Sequence, residues 1–273
     1  GGDTALYIEA QSEQDLEAVS RVRNETDLPT LVIGKGSNLL VADSGFPGVT
    51  VAIGKLFETI TMDRETATVY AGSTVALPSL ARQSVASGLT GFEWAVGVPG
   101  SIGGAVRMNA GGHGGDMAAV VTEVNMFDLR TSTSETKTKE DMTFSYRNSA
   151  VTQDLIVLGA TLQLERDDTA NGAKVLSEIV QWRRANQPGG QNAGSVFVNP
   201  QEETSGELLD RLGFKGFRIG SAQVSAKHAN FVQADPGGSA SDVDAVITAI
   251  ASRVLSETGI SLRTEIQRIG FEG

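Results

Sequence analysis

Cysteine is absent from this chain of 273 residues, and only two histidines are present. Without cysteine the chain can form no disulfide, no thiolate metal site and no cysteine nucleophile, and its composition agrees with a reducing compartment. Two histidines are too few for an ordinary structural zinc site. The composition therefore predicts no metal site.

Long apolar runs and clusters of basic residues are also missing. No apolar stretch approaches the roughly 20 residues that a membrane-spanning helix needs. The chain has 33 acidic and 22 basic side chains, a formal net charge of -11, and no block of Lys and Arg to follow a phosphate backbone. We therefore expect neither a membrane nor a nucleic acid as partner. A chain of this length is near the size at which one core splits, so two or three subdomains are expected.

Apolar periodicity predicts alternating strands and helices in the first third of the chain. The segment at 4–10 has strand character, and the segment at 12–22 is typical of a helix that Ser12 caps and Asp15 completes as a capping box. The alternation over 260–270 predicts a terminal strand. Apolar residues also recur at helical spacing over 173–186, 205–213 and 241–259, which predicts three further helices.

One turn groups bare backbone amides with two polar side chains. In VIGKGSNLL, Gly34 and Gly36 follow a short apolar strand, and Ser37 and Asn38 come next. Such a turn can cradle an anion such as a diphosphate. Its spacing fits neither the G-x-G-x-x-G template nor a Walker loop, so a tight turn without a ligand is the alternative interpretation.

A second segment is unusually rich in glycine. Nine of the residues in 91–116 are glycine, too many for the interior of a helix or a strand. Because Trp94, Val96 and Ile102 are interleaved, the segment differs from a flexible linker and is predicted to be an ordered loop close to a ligand. With the Ser101 hydroxyl it could clasp one end of an extended diphosphate, and a structural loop is again the alternative.

Six sequence blocks together resemble the UDP-N-acetylenolpyruvoylglucosamine reductase (MurB) family. The blocks occur in the order and approximate spacing of that family over essentially the whole chain. Single blocks are weak signals, whereas six in register are specific. They are GKGSNLLVADSGFPG, GLTGFEWAVGVPGSIGGAVRMNAGGHGGD, FSYRNS, NAGSVFVNP, GSAQVSAKHANF and LRTEIQRIG.

The resemblance implies an α+β fold with an FAD-binding module and a substrate-binding domain. The module is of the vanillyl-alcohol-oxidase (PCMH) type in two subdomains, and the C-terminal α+β domain sends its last strand back to the active site. The polar segment at 166–173 marks the boundary in this chain. We expect the FAD-binding module at 1–168, with subdomains at about 1–54 and 55–168, and the C-terminal domain at 169–273.

The resemblance also implies a non-covalently bound FAD, with NADPH as the hydride donor. The two glycine-rich segments would hold the diphosphate, and Asn109 and Gly111 would lie nearer the isoalloxazine ring. The implied cofactor-binding residues are Gly34, Lys35, Gly36, Ser37, Asn38, Leu39, Gly97, Pro99, Gly100, Ser101, Gly103, Gly104, Asn109 and Gly111.

Three catalytic residues are implied in the same way. Ser195 as a nucleophile would need a base held by a third group, and neither histidine lies in a recognisable nucleophile motif. In the family's reaction, hydride reaches the methylene carbon of an enolpyruvyl ether, and negative charge develops on the adjacent carbon and its carboxylate. Ser195 would donate a proton as general acid, Arg147 would stabilise the charge, and Glu265 would share a proton with the enol form.

Each of these three residues has a structural alternative, which the residues alone favour. Ser195 is compatible with a turn hydroxyl, and Arg147 with a surface ion pair. Glu265 falls on the polar face of the terminal strand, where a solvated glutamate is the default. The family resemblance reverses these preferences.

Substrate contacts from Tyr146, Asn199 and His228 are implied as well. Asn199 is also suited to capping a turn before Pro200, and His228 to a buried structural role.

The chain also departs from the family pattern. Little more than one strand separates Ser149 from the next predicted helix, so we assign the chain to the shorter class, which lacks an inserted tyrosine segment. Asn186 stands where many relatives carry a phosphate-binding lysine, which Arg183 or Arg184 would have to replace, and His113 stands where tyrosine is usual.

The implied function is reduction of UDP-N-acetylglucosamine enolpyruvate to UDP-N-acetylmuramate in peptidoglycan synthesis. We expect a monomeric bacterial cytoplasmic enzyme whose partners are NADPH and the UDP-linked enolpyruvyl sugar. One alternative is another flavin oxidoreductase on the same module, such as an oxidase of small alcohols. Another is a nucleotide-sugar binding protein without redox activity.

Overall fold

Helices and strands are mixed along the whole chain. The computed structural model describes residues 1–26 and 28–271. The strands are β1 (Thr4–Ala10), β2 (Thr30–Ile33), β3 (Leu39–Val41), β4 (Phe46–Ile53), β5 (Ile60–Asp63), β6 (Thr68–Gly72), β7 (Leu89–Thr90), β8 (Gly111–Gly112), β9 (Gly115–Asp116), β10 (Val121–Asp128), β11 (Thr133–Thr138), β12 (Leu155–Gln163), β13 (Glu165–Arg166), β14 (Arg218–Ile219), β15 (Ala222–Val224), β16 (Val232–Ala234) and β17 (Gln267–Ile269). The helices are α1 (Glu13–Thr26), α2 (Leu77–Ala86), α3 (Ile102–Met108), α4 (Met117–Val120), α5 (Thr169–Asn186), α6 (Ser205–Arg211) and α7 (Ala240–Thr258). The predicted α+β class is confirmed.

The described chain divides into two compact units. The larger unit comprises Ala5–Lys35 and Pro47–Trp182, and the smaller unit comprises Gly1–Thr4, Gly36–Phe46 and Arg183–Gly273. The boundary expected at residue 168 lies just before α5, most of which belongs to the larger unit. The division into an FAD-binding module and a substrate-binding domain stays a prediction. In the part of the chain that the structure describes, no helix is long and apolar enough to cross a bilayer.

The larger unit is built on a five-stranded antiparallel sheet in the order β11-β10-β12-β6-β5. The central strand β12 is mostly buried, as a strand covered by apolar side chains should be. A three-stranded sheet has the order β1-β4-β2, with β2 and β4 parallel. Two apolar cores fill this unit, one around Phe92 and Met126 and the other around Leu16 and Phe127.

Helix α1 begins as the sequence predicts. The Ser12 N–H donates to Asp15 Oδ2 at 2.9 Å, and the Asp15 N–H donates to Ser12 Oγ at 3.3 Å. This reciprocal pair is a capping box with aspartate in the acidic position. Leu16 and Val19, one turn further on, are fully buried.

The smaller unit combines α6 and α7 with a sheet in the order β14-β15-β16. Val246, Ile250 and Val254 recur at helical spacing on α7 and are buried in its core. The helix is capped by Ser239, whose hydroxyl accepts the Asp242 N–H, and it ends at Gly259 with a φ of +76°. In addition, β3 pairs in parallel with β17.

The glycine-rich segment 91–116 is more regular than the loop we predicted. It contains α3, with Gly103 and Gly104 in its first turn. An ideal Cβ on Gly103 would lie 3.0 Å from Ser73 Cβ, so the helix packs closely on its neighbour. The expectation of a loop throughout was wrong because tertiary packing outweighs the poor helix propensity of glycine.

The terminal strand is shorter than its alternation predicts. Only Gln267–Ile269 pairs with a neighbour, because its partner β3 has just three residues. Before it, Thr264 forms a single bridge with Phe197. The alternating pattern identified the two faces, while the available partner limited the strand's length.

Candidate active site

The turn after β2 and the start of α3 meet in the larger unit. Gly34 follows β2 directly, and Ser101 is the N-cap residue of α3. An ideal Cβ on Gly34 would lie 2.6 Å from Ser101 Oγ, closer than real Cβ atoms approach other atoms. The structure thus brings together one residue from each glycine-rich segment, and a side chain at position 34 would displace the Ser101 hydroxyl.

The Ser101 hydroxyl is not used to cap α3. A serine at this position normally accepts an amide hydrogen bond from the first turn, but Ser101 makes no such side-chain bond. The Gly103 N–H donates instead to the Ser73 carbonyl at 2.9 Å. The hydroxyl can therefore contact a ligand without weakening the helix.

A pocket opens beside these residues and contains two buried hydroxyl groups without partners. It encloses about 450 Å³ of space, counting its open mouth. Among the described residues, Ser73 Oγ and Thr74 Oγ1 have no hydrogen-bond partner. An unpaired buried hydroxyl costs about 1–3 kcal/mol, so a polar ligand atom is its expected partner. The apolar walls are Val32, Ile33, Ile53, Val151, Leu155 and Val157.

Two further glycines of the second segment are constrained, one by its backbone conformation and one by a close neighbour. Gly100 has a φ of +138°, which side chains rarely adopt. An ideal Cβ on Gly97 would lie 2.9 Å from the ring of His113. The larger unit also contains the predicted cofactor residues Lys35, Pro99, Gly103, Gly104, Asn109 and Gly111.

The rest of the first glycine turn lies in the smaller unit and anchors the terminal strand. Asn38 Nδ2 donates to the Glu265 carbonyl at 3.2 Å. The Asn38 carbonyl accepts the N–H of Gln267 at 2.9 Å. Asn38 therefore ties a predicted cofactor segment to the backbone of a predicted catalytic residue. The predicted cofactor residues in this unit are Gly36, Ser37, Asn38 and Leu39.

The segments that carry Ser195 and Glu265 are neighbours in the smaller unit. The Glu265 N–H donates to the carbonyl of Val196 at 2.8 Å. Gly194, with a φ of +79°, turns the chain immediately before Ser195. The structure thus brings together a hydroxyl and a carboxyl residue that are 70 positions apart in sequence.

Asn230 fixes the Ser195 segment and was missed by the sequence analysis. Its carbonyl accepts the Val196 N–H at 2.9 Å, and its amide both accepts from and donates to the Phe197 backbone at 2.9 Å. Asn230 is only 3% exposed. An asparagine between apolar residues in HANF was the available signal, because a buried amide requires partners.

Arg147 lies at the tip of a tight hairpin in the larger unit. Ser145 and Asn148 exchange backbone hydrogen bonds of 3.0 and 3.1 Å. Arg147 has a φ of +56°, an uncommon conformation for a non-glycine residue that is enriched at functional sites. Its Nη2 donates to the Gly111 carbonyl at 3.0 Å, and its guanidinium lies 4.9 Å from the ring centre of Tyr146. Tyr146 is about half exposed.

Asn109 holds this hairpin in place. It ends α3 with a φ of +40° and is 3% exposed. Its Nδ2 donates to the Ser145 carbonyl at 3.0 Å, and its Oδ1 accepts the Ala118 N–H at 2.9 Å. The side chain predicted to approach the cofactor thus positions the segment that carries Arg147.

Asn199 and His228 both have structural contacts. Asn199 Oδ1 accepts the Ser205 N–H at 3.0 Å at the start of α6. His228 Nδ1 accepts the Asn230 N–H at 3.2 Å, and its ring packs 4.9 Å from that of Phe231. Burial lowers the pKa of His228 below its ordinary value, so the ring is neutral at physiological pH. Their roles toward a substrate stay predictions.

Aromatic and basic residues near the end of α5 make contacts with other residues of their own units. Trp182 follows the helical spacing of α5 but is 47% exposed, and its ring packs edge-on against that of His113 with the ring centres 5.0 Å apart. Apolar spacing alone does not show that a partner covers each position. Burial lowers the pKa of Arg183, whose Nε donates to Gln187 Oε1 at 2.8 Å. Arg184 offers its carbonyl to Lys227 Nζ.

Two family models match the chain. One is described as the C-terminal domain of UDP-N-acetylenolpyruvoylglucosamine reductase and matches residues 185–269. The other is described as an FAD binding domain and matches residues 4–136. The first match lies within the C-terminal part of the smaller unit. The second match covers both glycine-rich segments.

Named relatives match over the full length. A UDP-N-acetylenolpyruvoylglucosamine reductase of Heliobacterium modesticaldum is 41% identical over 100% of this chain and 87% of its own. One from a Synechococcus species is 38% identical over 100% and 89%. The crystal structure of UDP-N-acetylenolpyruvylglucosamine reductase (MurB) from Thermus caldophilus is 30% identical, covers 96% of this chain and 91% of its own, and has a TM-score of 0.83.

Proposed function

The chain belongs to the UDP-N-acetylenolpyruvoylglucosamine reductase family, and from that membership we propose which residues carry out its reaction. The relatives confirm the family that the six sequence blocks predict. The chain is an FAD-dependent oxidoreductase of peptidoglycan synthesis that uses NADPH to reduce the UDP-linked enolpyruvyl sugar. Its assignment to the shorter class of the family stays a prediction.

The residues of the larger unit fit a bound flavin nucleotide. Gly34 and Ser101 both line the pocket, and the absence of a Cβ at Gly34 leaves the Ser101 hydroxyl in place beside its backbone. Ser73 and Thr74 line the same pocket and carry buried hydroxyl groups without a protein partner. When bound there, FAD supplies the hydride transfer that the reaction requires.

Ser195 is the general acid in this proposal. The neighbouring Ser195 and Glu265 segments are the observation that carries it, because Glu265 binds the backbone of the residue after Ser195 at 2.8 Å. Ser195 donates its proton to the carbon next to the substrate carboxylate. The high pKa of a hydroxyl is not prohibitive, because that carbon is strongly basic once hydride has been added.

Arg147 and Glu265 stabilise the negative charge that precedes this proton transfer. The Arg147 guanidinium is oriented by Gly111 and Tyr146, so little reorganisation is needed when charge develops on the substrate carboxylate. Glu265 shares a proton with that carboxylate and so favours the enol form. Both roles rest on the family match together with these local contacts.

Further assignments belong to the same proposal. Tyr146, Asn199 and His228 contact the nucleotide sugar, and the two glycine-rich segments bind the FAD diphosphate. The protein acts as a monomer in the bacterial cytoplasm. Its mass in solution by light scattering tests the first of these statements, and a dimer peak would contradict it.

The decisive experiment separates the two half-reactions of Ser195→Ala. NADPH should bleach the flavin absorbance of this variant at nearly the native rate under anaerobic conditions. The enolpyruvyl nucleotide should then restore that absorbance at least about 100-fold more slowly than in the native protein, as expected when a general acid is lost.

Ser252→Ala is the matched control, because Ser252 is an exposed serine of the same unit, on α7. It should behave like the native protein in both half-reactions. Equal slowing of both half-reactions in Ser195→Ala would contradict the proton-donor role. Fast reoxidation by oxygen alone would instead favour an oxidase, and a protein that cannot be loaded with FAD would favour a binding protein.

A further inference from the structure

Arg107 lines the same pocket as the two unpaired hydroxyl groups and has no place in the proposed reaction. It lies in the last turn of α3 and is half-buried. Its Nη1 donates to the Thr152 carbonyl at 3.0 Å, and its own carbonyl accepts the Ser149 hydroxyl at 2.8 Å. The side chain is therefore held in a defined position at the pocket wall.

The guanidinium of Arg107 has no carboxylate partner among the described residues. Burial lowers the pKa of Arg107, whereas a neighbouring carboxylate would raise it. A partly buried cation is normally paired, because desolvating a charge is costly. Only one of its five N–H groups is engaged by Thr152. The remaining donors suit an anionic ligand.

The other groups that line the pocket favour a phosphate over other anions. Ser73 and Thr74 add two buried hydroxyl donors, and Gly34 allows close approach of the backbone. Arginine is the side chain best matched to the planar pairs of oxygens on phosphate. The apolar walls would cover the uncharged part of the same ligand.

We propose that Arg107 pairs with the diphosphate of bound FAD, with the hydroxyl groups of Ser73 and Thr74 donating hydrogen bonds to the same nucleotide. This inference rests on the proposed flavin site. In it, Arg107 supplies the positive charge that the glycine-rich segments do not provide through their backbone amides. It predicts that Arg107 contributes to cofactor affinity and not to the chemistry of substrate reduction.

Flavin binding to the apoprotein tests the inference without an activity measurement. Arg107→Gln should weaken FAD affinity by about 10- to 100-fold, the usual effect of losing a charge-assisted hydrogen bond. Its affinity for FAD should also depend less on salt than that of the native protein. Riboflavin, which has no phosphate, should bind the variant and the native protein equally. Arg107→Lys should recover part of the loss.

Arg82→Gln is the matched control. Arg82 is an exposed arginine of the same unit whose Nη1 also donates to a backbone carbonyl, that of Pro78, at 2.8 Å. It does not line the pocket, so this variant should bind FAD with native affinity and native salt dependence.

Thr74→Val supplies a second test, which separates a role in FAD binding from a role in the stability of the fold. Removing an unpaired buried hydroxyl should leave the melting temperature of the apoprotein unchanged or higher. The same change should weaken FAD binding severalfold. A variant that loses apoprotein stability and binds FAD normally would contradict the assignment of Thr74.

The outcomes distinguish this inference from the proposed function. If the native apoprotein binds no FAD, the proposed flavin site itself fails. If FAD binds and Arg107→Gln has native affinity, or loses riboflavin affinity equally, only the inference fails. A defect confined to the KM for NADPH or for the UDP-sugar in the FAD-loaded protein would place Arg107 at another phosphate and overturn the assignment to FAD.

Discussion

Removing the Asn109 amide should destabilise the fold and slow substrate reduction through the hairpin that carries Arg147. The Asn109 side chain donates to the Ser145 carbonyl at 3.0 Å and accepts the Ala118 N–H at 2.9 Å. Gly111 completes the arrangement by accepting a hydrogen bond from Arg147. Without the amide, one side of this hairpin loses its anchor to the end of α3.

The magnitude follows from the burial of each group. Ala118 is half-buried, so its unpaired N–H costs about 1–3 kcal/mol, whereas exposed Ser145 can bind water and costs about 0.5–1.5 kcal/mol. Alanine at a φ of +40° adds about 1 kcal/mol. Asn109→Ala should therefore lower the free energy of unfolding by about 2.5–5.5 kcal/mol. Asn109→Gly, which tolerates that φ, should lose about 1 kcal/mol less.

Two measurements check this reasoning. Urea unfolding of the flavin-free protein gives the free energies, and rapid-mixing absorbance gives the half-reactions. A misplaced guanidinium should slow substrate reduction by up to about 100-fold and leave flavin reduction by NADPH nearly native. If Asn109→Ala is as stable as the native protein, the hydrogen-bond argument is refuted. If Asn109→Gly is destabilised and reduces substrate at the native rate, the positioning argument is refuted.

Two further predictions concern other parts of the site and fold. Gly34→Ala should weaken FAD binding at least about 10-fold in a fluorescence titration, because its Cβ would lie 2.6 Å from Ser101 Oγ, and native affinity would contradict this. Hydrogen bonds from the backbone N–H groups of Ala240 and Ser241 hold the pKa of Asp43 below its ordinary value. The stabilisation is therefore complete above the unfolded pKa of about 3.9 and is lost as pH falls through the lower folded value. Asp43→Asn should show a shallower loss of stability below about pH 4 in urea unfolding, and an unchanged acid slope would contradict this.

Local patterns were sufficient to predict α1, α5, α6 and α7 from this sequence, whereas the glycine-rich helix α3 was predicted as a loop. The α1 capping box and the apolar spacing of α7 depend only on residues within a few turns of each other. Strand lengths depend on partners elsewhere in the chain. Strand β11 was missed because its residues are polar and mostly exposed, and β17 was predicted too long because β3 is short.

The same distinction applies to the site. Glycine-rich segments stand out in the sequence, and the family resemblance implies roles for polar residues such as Ser195. Residues that act through another segment give no such local signal. Asn230 orders the backbone around Ser195, and Arg107 looks like an ordinary helix residue until the pocket wall is seen.

The segments that carry the proposed catalytic residues have one feature in common. The side chain of an asparagine from elsewhere in the sequence forms hydrogen bonds with the backbone of each segment. Asn38 binds the carbonyl of Glu265, Asn230 binds the backbone of Phe197 two residues after Ser195, and Asn109 binds the Ser145 carbonyl in the Arg147 hairpin. An asparagine amide can donate and accept at once, so it can fix a peptide without adding charge. A neutral anchor suits a reaction that builds up negative charge, because it holds a proposed catalytic segment in place without adding a charge of its own.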